Sequence, residues 1–68
     1  MTGTQAATLL ARTARRQGET EQLLAARIGI DWSTVRRWRS GDVLRVHGTT
    51  EQALLRYVRE AARAKERT

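Results

Sequence analysis

A chain of 68 residues has room for one domain, and burying only about 60% of its unfolded surface it suits a compact helical bundle rather than a deep catalytic cleft. Thirteen Lys and Arg against seven Asp and Glu leave a net charge of +6, the electrostatic footprint of a nucleic-acid partner. The absence of Cys excludes a disulfide framework and a thiolate metal site, and no stretch approaches the roughly 20 apolar residues of a membrane span or a signal-peptide core, so a cytoplasmic, nucleoid-associated location is expected.

Ten alanines with no proline and no phenylalanine favour an all-α fold of four, or five, helices over residues 1–68. The first helix is predicted over residues 4–17, where Ala6, Leu9, Leu10 and Thr13 share one face and Leu10 enters the core. Arg12, Arg15 and Arg16 project the other way, either as a solvated face or as phosphate contacts. Gly18 ends this helix. Thr20 is placed to cap the next one, with Glu21 favourable for its macrodipole.

Residues 21–40 carry two short helical patterns separated by a tight turn. In the first, Leu24, Ala25 and Ile28 recur on one face. Gly29 then supplies a left-handed turn residue, Ile30 plugs the wedge between the two helices, and Asp31 is placed to cap the second by accepting its free amide hydrogens. The second helix, residues 32–40, advances roughly 100° per residue. Val35 and Trp38 therefore point inward together, while Ser33, Arg36, Arg37 and Ser40 fall on the opposite face. Trp38 is expected to anchor this pair against the first and last helices. Trp32, beside Arg36 and Arg39, is expected either to touch DNA or to cover the Arg36 stem. Guanidiniums displayed side by side suit base readout, since Arg pairs bidentately with guanine O6 and N7.

The run TEQLLAARIGIDWSTVRRWRSG resembles the helix-turn-helix of Cro/repressor-like (XRE-family) regulators. It shares the small Ala25 at the helix contact, Gly29 in the turn, Ile30 after it, and Leu24, Ile28, Val35 and Trp38 at core positions; flanking helices extend the likeness by pattern to about residues 5–62. The resemblance implies base contacts from Trp32, Ser33, Arg36 and Arg37, and a backbone contact from Ser40. Thr20, Arg39, Arg45 and His47 complete the expected backbone set. Two positions depart from the family. Glu21 stands where a DNA-touching Gln is common, and its charge would be repelled by phosphate. Arg39 stands where a Glu is common, so an ion pair to the preceding helix is expected to be missing or replaced by a phosphate contact.

Residues 42–48, DVLRVHG, are predicted to form a loop in which Val43, Leu44 and Val46 either cover the core or face a partner subunit. His47 is the chain's one histidine and lacks the companions of a metal site. The run TTEQ, residues 49–52, has the form of a capping box opening a last helix over about residues 50–67. Its inward stripe is Leu54, Tyr57, Val58 and Ala61, with Leu54 and Val58 as core residues, and Leu55 and Ala62 form a thinner strip to one side.

The leading expectation is a sequence-specific double-stranded DNA-binding regulator, a repressor of phage, plasmid or mobile-element type, without cofactor or metal. One such domain reads few base pairs, so useful specificity calls for a homodimer on a palindromic operator with half-sites roughly 34 Å apart. A protein partner could dock through Val43, Leu44, Val46 and Leu55. Two alternatives stand beside it. The run STVRRWRSGDVLRV also resembles MerR-like excisionases, which carry a β-wing after the recognition helix and bend DNA. An antitoxin-type helical interaction module is the other. Enzymatic function ranks last, since one His, one Lys and no paired carboxylates assemble no nucleophile, base and oxyanion donor.

Overall fold

The computed structural model describes residues 1–66. They form four helices, α1 (Gly3–Gln17), α2 (Glu21–Ile28), α3 (Trp32–Ser40) and α4 (Gly48–Glu66), with no strand among the described residues. The expected end of the last helix at residue 67 lies outside them.

Helix α1 starts one residue earlier than the apolar spacing predicts, because Thr2 and Gln5 cap it reciprocally. The Thr2 hydroxyl accepts from the Gln5 amide at 3.0 Å, and the Gln5 side-chain oxygen accepts from the Thr2 amide at 2.9 Å. At the other end of the chain the same T-x-x-Q pattern does no such work. Helix α4 begins at Gly48, so Thr49 lies inside its first turn rather than ahead of it, and among the described residues no hydrogen bond joins Thr49 to Gln52. The corner into α4 is instead turned by Gly48, with φ of 69°.

The core forms where α1 meets the other three helices. It comprises Ala6, Ala7, Leu10 and Ala14 of α1, Leu24 and Ala25 of α2, Ile30 of the turn, Val35 and Trp38 of α3, Val46 of the following loop and Leu54 of α4. Alanine at three of these positions on α1 lets neighbouring backbones approach closely. The large volumes come from Trp38, Leu10, Leu24 and Leu54, all fully buried, each contributing about 1.5–3 kcal/mol through removal from water. Thr13, also buried, donates its hydroxyl hydrogen to the Leu9 carbonyl at 2.8 Å, so no polar group is stranded there. Ile28 and Val58, expected in the core, are only partly buried along its margin.

Helix α3 packs on α1 and α2, and α4 packs on the same two helices without approaching α3. Trp38, the expected anchor of the pair, is buried in one cluster with Leu10 of α1 and Leu54 of α4. Its backbone lies close against the start of α1. Gly3 is buried there, and a Cβ at this position would lie 2.5 Å from the Val43 carbonyl oxygen and 3.3 Å from the Trp38 Cα. Only a hydrogen fits where two backbones come that close.

The loop between α3 and α4 divides its apolar residues. Val46 is buried and Val43 partly so, both packed on the core, the first of the two placements the sequence allowed. Val46 is fixed by backbone pairing with the first residue: its amide donates to the Met1 carbonyl at 2.7 Å, and the Met1 amine donates to the Val46 carbonyl at 3.2 Å. Leu44 is left 86% exposed.

A polar cluster ties the α1–α2 connection to α4. Arg27 pairs with Glu19 at 2.5 Å, and the Tyr57 hydroxyl donates to Gln17 at 3.4 Å. Hydrogen bonding to Tyr57 and then the charge of Glu19 push the Arg27 guanidinium above its ordinary pKa. One Glu19 oxygen, Oε2, is buried without a hydrogen-bond partner.

Candidate nucleic-acid interface

The turn that delivers α3 is built from backbone bonds. Gly29 adopts φ of 91°, a conformation costly to any residue with a Cβ, and this aims its amide at the carbonyls of Ala25 and Ala26. The next amide, of Ile30, donates to Ala25 at 2.8 Å. The chain thereby reverses within three residues, and the buried Ile30 pins the reversal to the core. Thr20 caps α2 as expected, its hydroxyl accepting from the Leu23 amide at 3.1 Å, while remaining exposed.

Asp31 occupies the position ahead of α3 but makes no side-chain cap bond. Its carboxylate accepts from the Ser33 hydroxyl at 2.5 Å instead. The expectation that Asp31 receives backbone amide hydrogens is therefore corrected: a hydroxyl two residues on competes for the same oxygen.

Helix α3 is oriented by Val35 and Trp38, which are 0% and 1% exposed. Its opposite face brings Ser33, Arg36, Arg37 and Ser40 together, all exposed, around a shallow depression that Asp42 also lines. Among the described residues neither Arg36 nor Arg37 forms an ion pair. Ser40 donates its hydroxyl hydrogen to the Arg37 carbonyl at 3.0 Å. Asp42, which sequence reasoning assigned only to the loop, enters this face because its amide donates to the Arg37 carbonyl at 3.1 Å, wrapping the chain back over the helix end. The signal was the Gly41 that precedes it, a left-handed cap that folds the following residue against the last turn.

Arg39 does not share this face. It forms an ion pair with Glu21 of α2, and its guanidinium lies over the Trp32 ring at 5.9 Å from the centroid. The sequence-based expectation that this interhelix ion pair is missing is thus overturned. An acid on α2 faces a base on α3, and the two charges pair across the turn. Trp32 is half-buried, packed against the core and under Arg39. Its ring face is thereby taken up by Arg39.

Arg45 and His47 are exposed but gather elsewhere, around a depression lined by Met1 and Glu51. The Glu51 carboxylate accepts from the Met1 amine at 2.6 Å. This hydrogen bond holds Glu51 below its ordinary range against the opposing effect of desolvation, and the charges of His47 and Arg45 lower it further. These two basic residues therefore serve partly as neighbours to a carboxylate. Leu55 is half-buried on α4. Among the described residues no three of His, Cys, Asp and Glu gather as metal ligands, and no helix is long and apolar enough to cross a membrane.

Comparison with protein-family models, with curated proteins and with solved structures finds no match to this chain.

Proposed function

We propose that this chain is a sequence-specific double-stranded DNA-binding transcriptional regulator, a repressor of phage, plasmid or mobile-element type, that inserts α3 in the major groove. The observation that carries the reading is the pair of guanidiniums without ion-pair partners, Arg36 and Arg37, displayed with two serines on the face of α3 opposite its buried anchors. Two short helices joined by the Gly29 turn support a helix-turn-helix of Cro/repressor-like type, and the net charge of +6 supplies attraction to phosphate. A homodimer on a palindromic operator meets the need for specificity. With Val43 and Val46 packed on the core, Leu44 and Leu55 remain of the residues expected to meet such a partner.

A fluorescence titration with random duplex at two salt concentrations tests this. Binding that weakens steeply as salt rises is expected, since each phosphate neutralised releases counterions. Absence of binding at low salt would leave the interaction-module reading, which the exposed Leu44 favours. The excisionase reading calls for a β-wing after α3, and residues 42–47 contain no strand.

A further inference from the structure

We infer that the duplex this chain selects presents guanines to Arg36 and Arg37, an inference that rests on the DNA-binding reading and adds the base class. It follows from the hydrogen-bond donors on the outward face of α3. The Ser33 hydroxyl hydrogen is committed to Asp31 and that of Ser40 to the Arg37 carbonyl. Either would have to break an internal bond before donating to a base. Arg39 is held by Glu21 and Trp32 on the other flank. The guanidiniums of Arg36 and Arg37 are the donors that remain.

The acceptors on offer in a major groove then decide the base. Guanine presents two, O6 and N7, which match the two parallel N–H groups of a guanidinium. Adenine presents one donor and one acceptor, a pattern met by Asn or Gln. This chain has no asparagine, and its glutamines, at 5, 17, 22 and 52, all lie off α3. Thymine presents a methyl group beside a single acceptor; none of Ser33, Arg36, Arg37 and Ser40 is apolar, and Trp32 on the flank is half-buried beneath Arg39.

Asp42 sharpens the choice. It lines the same depression as both arginines, and a carboxylate repels keto oxygens and phosphates yet accepts from an amino group such as cytosine N4. A G·C pair offers acceptors to the guanidinium and that amino group side by side. Consecutive residues on a helix diverge by about 100° with a rise of about 1.5 Å, so Arg36 and Arg37 fan out to guanines in different base pairs.

The test begins with enrichment of bound sequences from a randomised duplex pool. In the best binder each guanine is then replaced in turn by 7-deazaguanine, which lacks the N7 acceptor, and each adenine by 7-deazaadenine. Guanines in each half-site are expected, with replacement of either contacted guanine weakening binding by about fivefold or more. The same effect of 7-deazaguanine should vanish at one guanine in Arg36→Ala and at another in Arg37→Ala. Winners without guanine, or equal tolerance of both deaza bases, would overturn the guanine inference while leaving DNA binding intact. Failure to enrich or bind any duplex at low salt would overturn the DNA-binding reading itself.

Discussion

Arg39 of α3 is paired with Glu21 of α2 while its guanidinium lies over Trp32, so one side chain clamps the two helices on either side of the turn. Both partners are partly exposed, at 54% and 29%, and solvent screens the pair to about 0.2–1 kcal/mol. A double-mutant cycle of Glu21→Ala and Arg39→Ala should return a coupling energy of that size in urea unfolding. The exchanged pair Glu21→Arg with Arg39→Glu should recover most of it; a coupling of zero would mean the two charges act independently.

Gly3→Ala should destabilise the fold although Ala is the better helix former by about 1 kcal/mol. The added methyl would sit 2.5 Å from the Val43 carbonyl oxygen, and moving a backbone group to relieve such overlap costs about 1–3 kcal/mol. Thermal unfolding followed by circular dichroism measures the balance. A variant at least as stable as the parent would show that the α1–loop packing yields easily.

Trp38→Ala removes the largest buried side chain. Truncations of this kind cost about 3–5 kcal/mol, which is comparable to the whole stability of a domain with about 0.05–0.15 kcal/mol per residue. The variant should be largely unfolded at 25 °C by far-ultraviolet circular dichroism, whereas Trp32→Ala, at a half-buried position, should remain folded.

How much of this was legible in the sequence depends on whether the deciding interaction was local. Gly18, Gly29 and Gly41 cap helices where the pattern placed them, and Thr20 caps α2, because each is decided within a few residues of chain. The two T-x-x-Q runs are local as well, but they read alike; which one caps a helix was settled by where the backbone turned, at Gly48 ahead of one and at Thr2 itself in the other. Gly3 was illegible because its constraint comes from Val43 and Trp38, far along the chain. The outward set of Ser33, Arg36, Arg37 and Ser40 followed from helical period alone. That their hydroxyls are internally committed did not, since Ser33 to Asp31 is one of several bonds open to either side chain.

Arg12 and Arg15 lie exposed on α1, away from the depression on α3. Their replacement by Ala should lower affinity for every duplex about equally and make the dependence on salt shallower, by a slope of about one for each phosphate no longer neutralised. Arg36→Ala and Arg37→Ala should instead relax preference among sequences. Competition binding between selected and random duplexes separates the two effects, and unchanged preference in both α3 variants would move the reading surface elsewhere.

Glu51 should make the fold sensitive to acid. Its folded-state pKa lies below the ordinary 4.5 because the Met1 amine donates to it, with His47 and Arg45 adding to the effect. A lowered folded value means the contribution is present in full above the unfolded pKa and disappears as pH falls through the folded one. The Tm of the parent should therefore drop more between about pH 5 and pH 3 than that of Glu51→Gln. Parallel curves would show that this carboxylate ionises alike in both states.

The distance kept between α3 and α4 bears on how such a protein can change over time. Because the backbones of the two helices share neighbours without closely approaching each other, substitutions along the outer side of α4 can accumulate without disturbing the aim of Arg36 and Arg37, their energetic effects adding independently. On the DNA-binding reading, base preference and any association through α4 can each be revised by drift while the other is inherited unaltered.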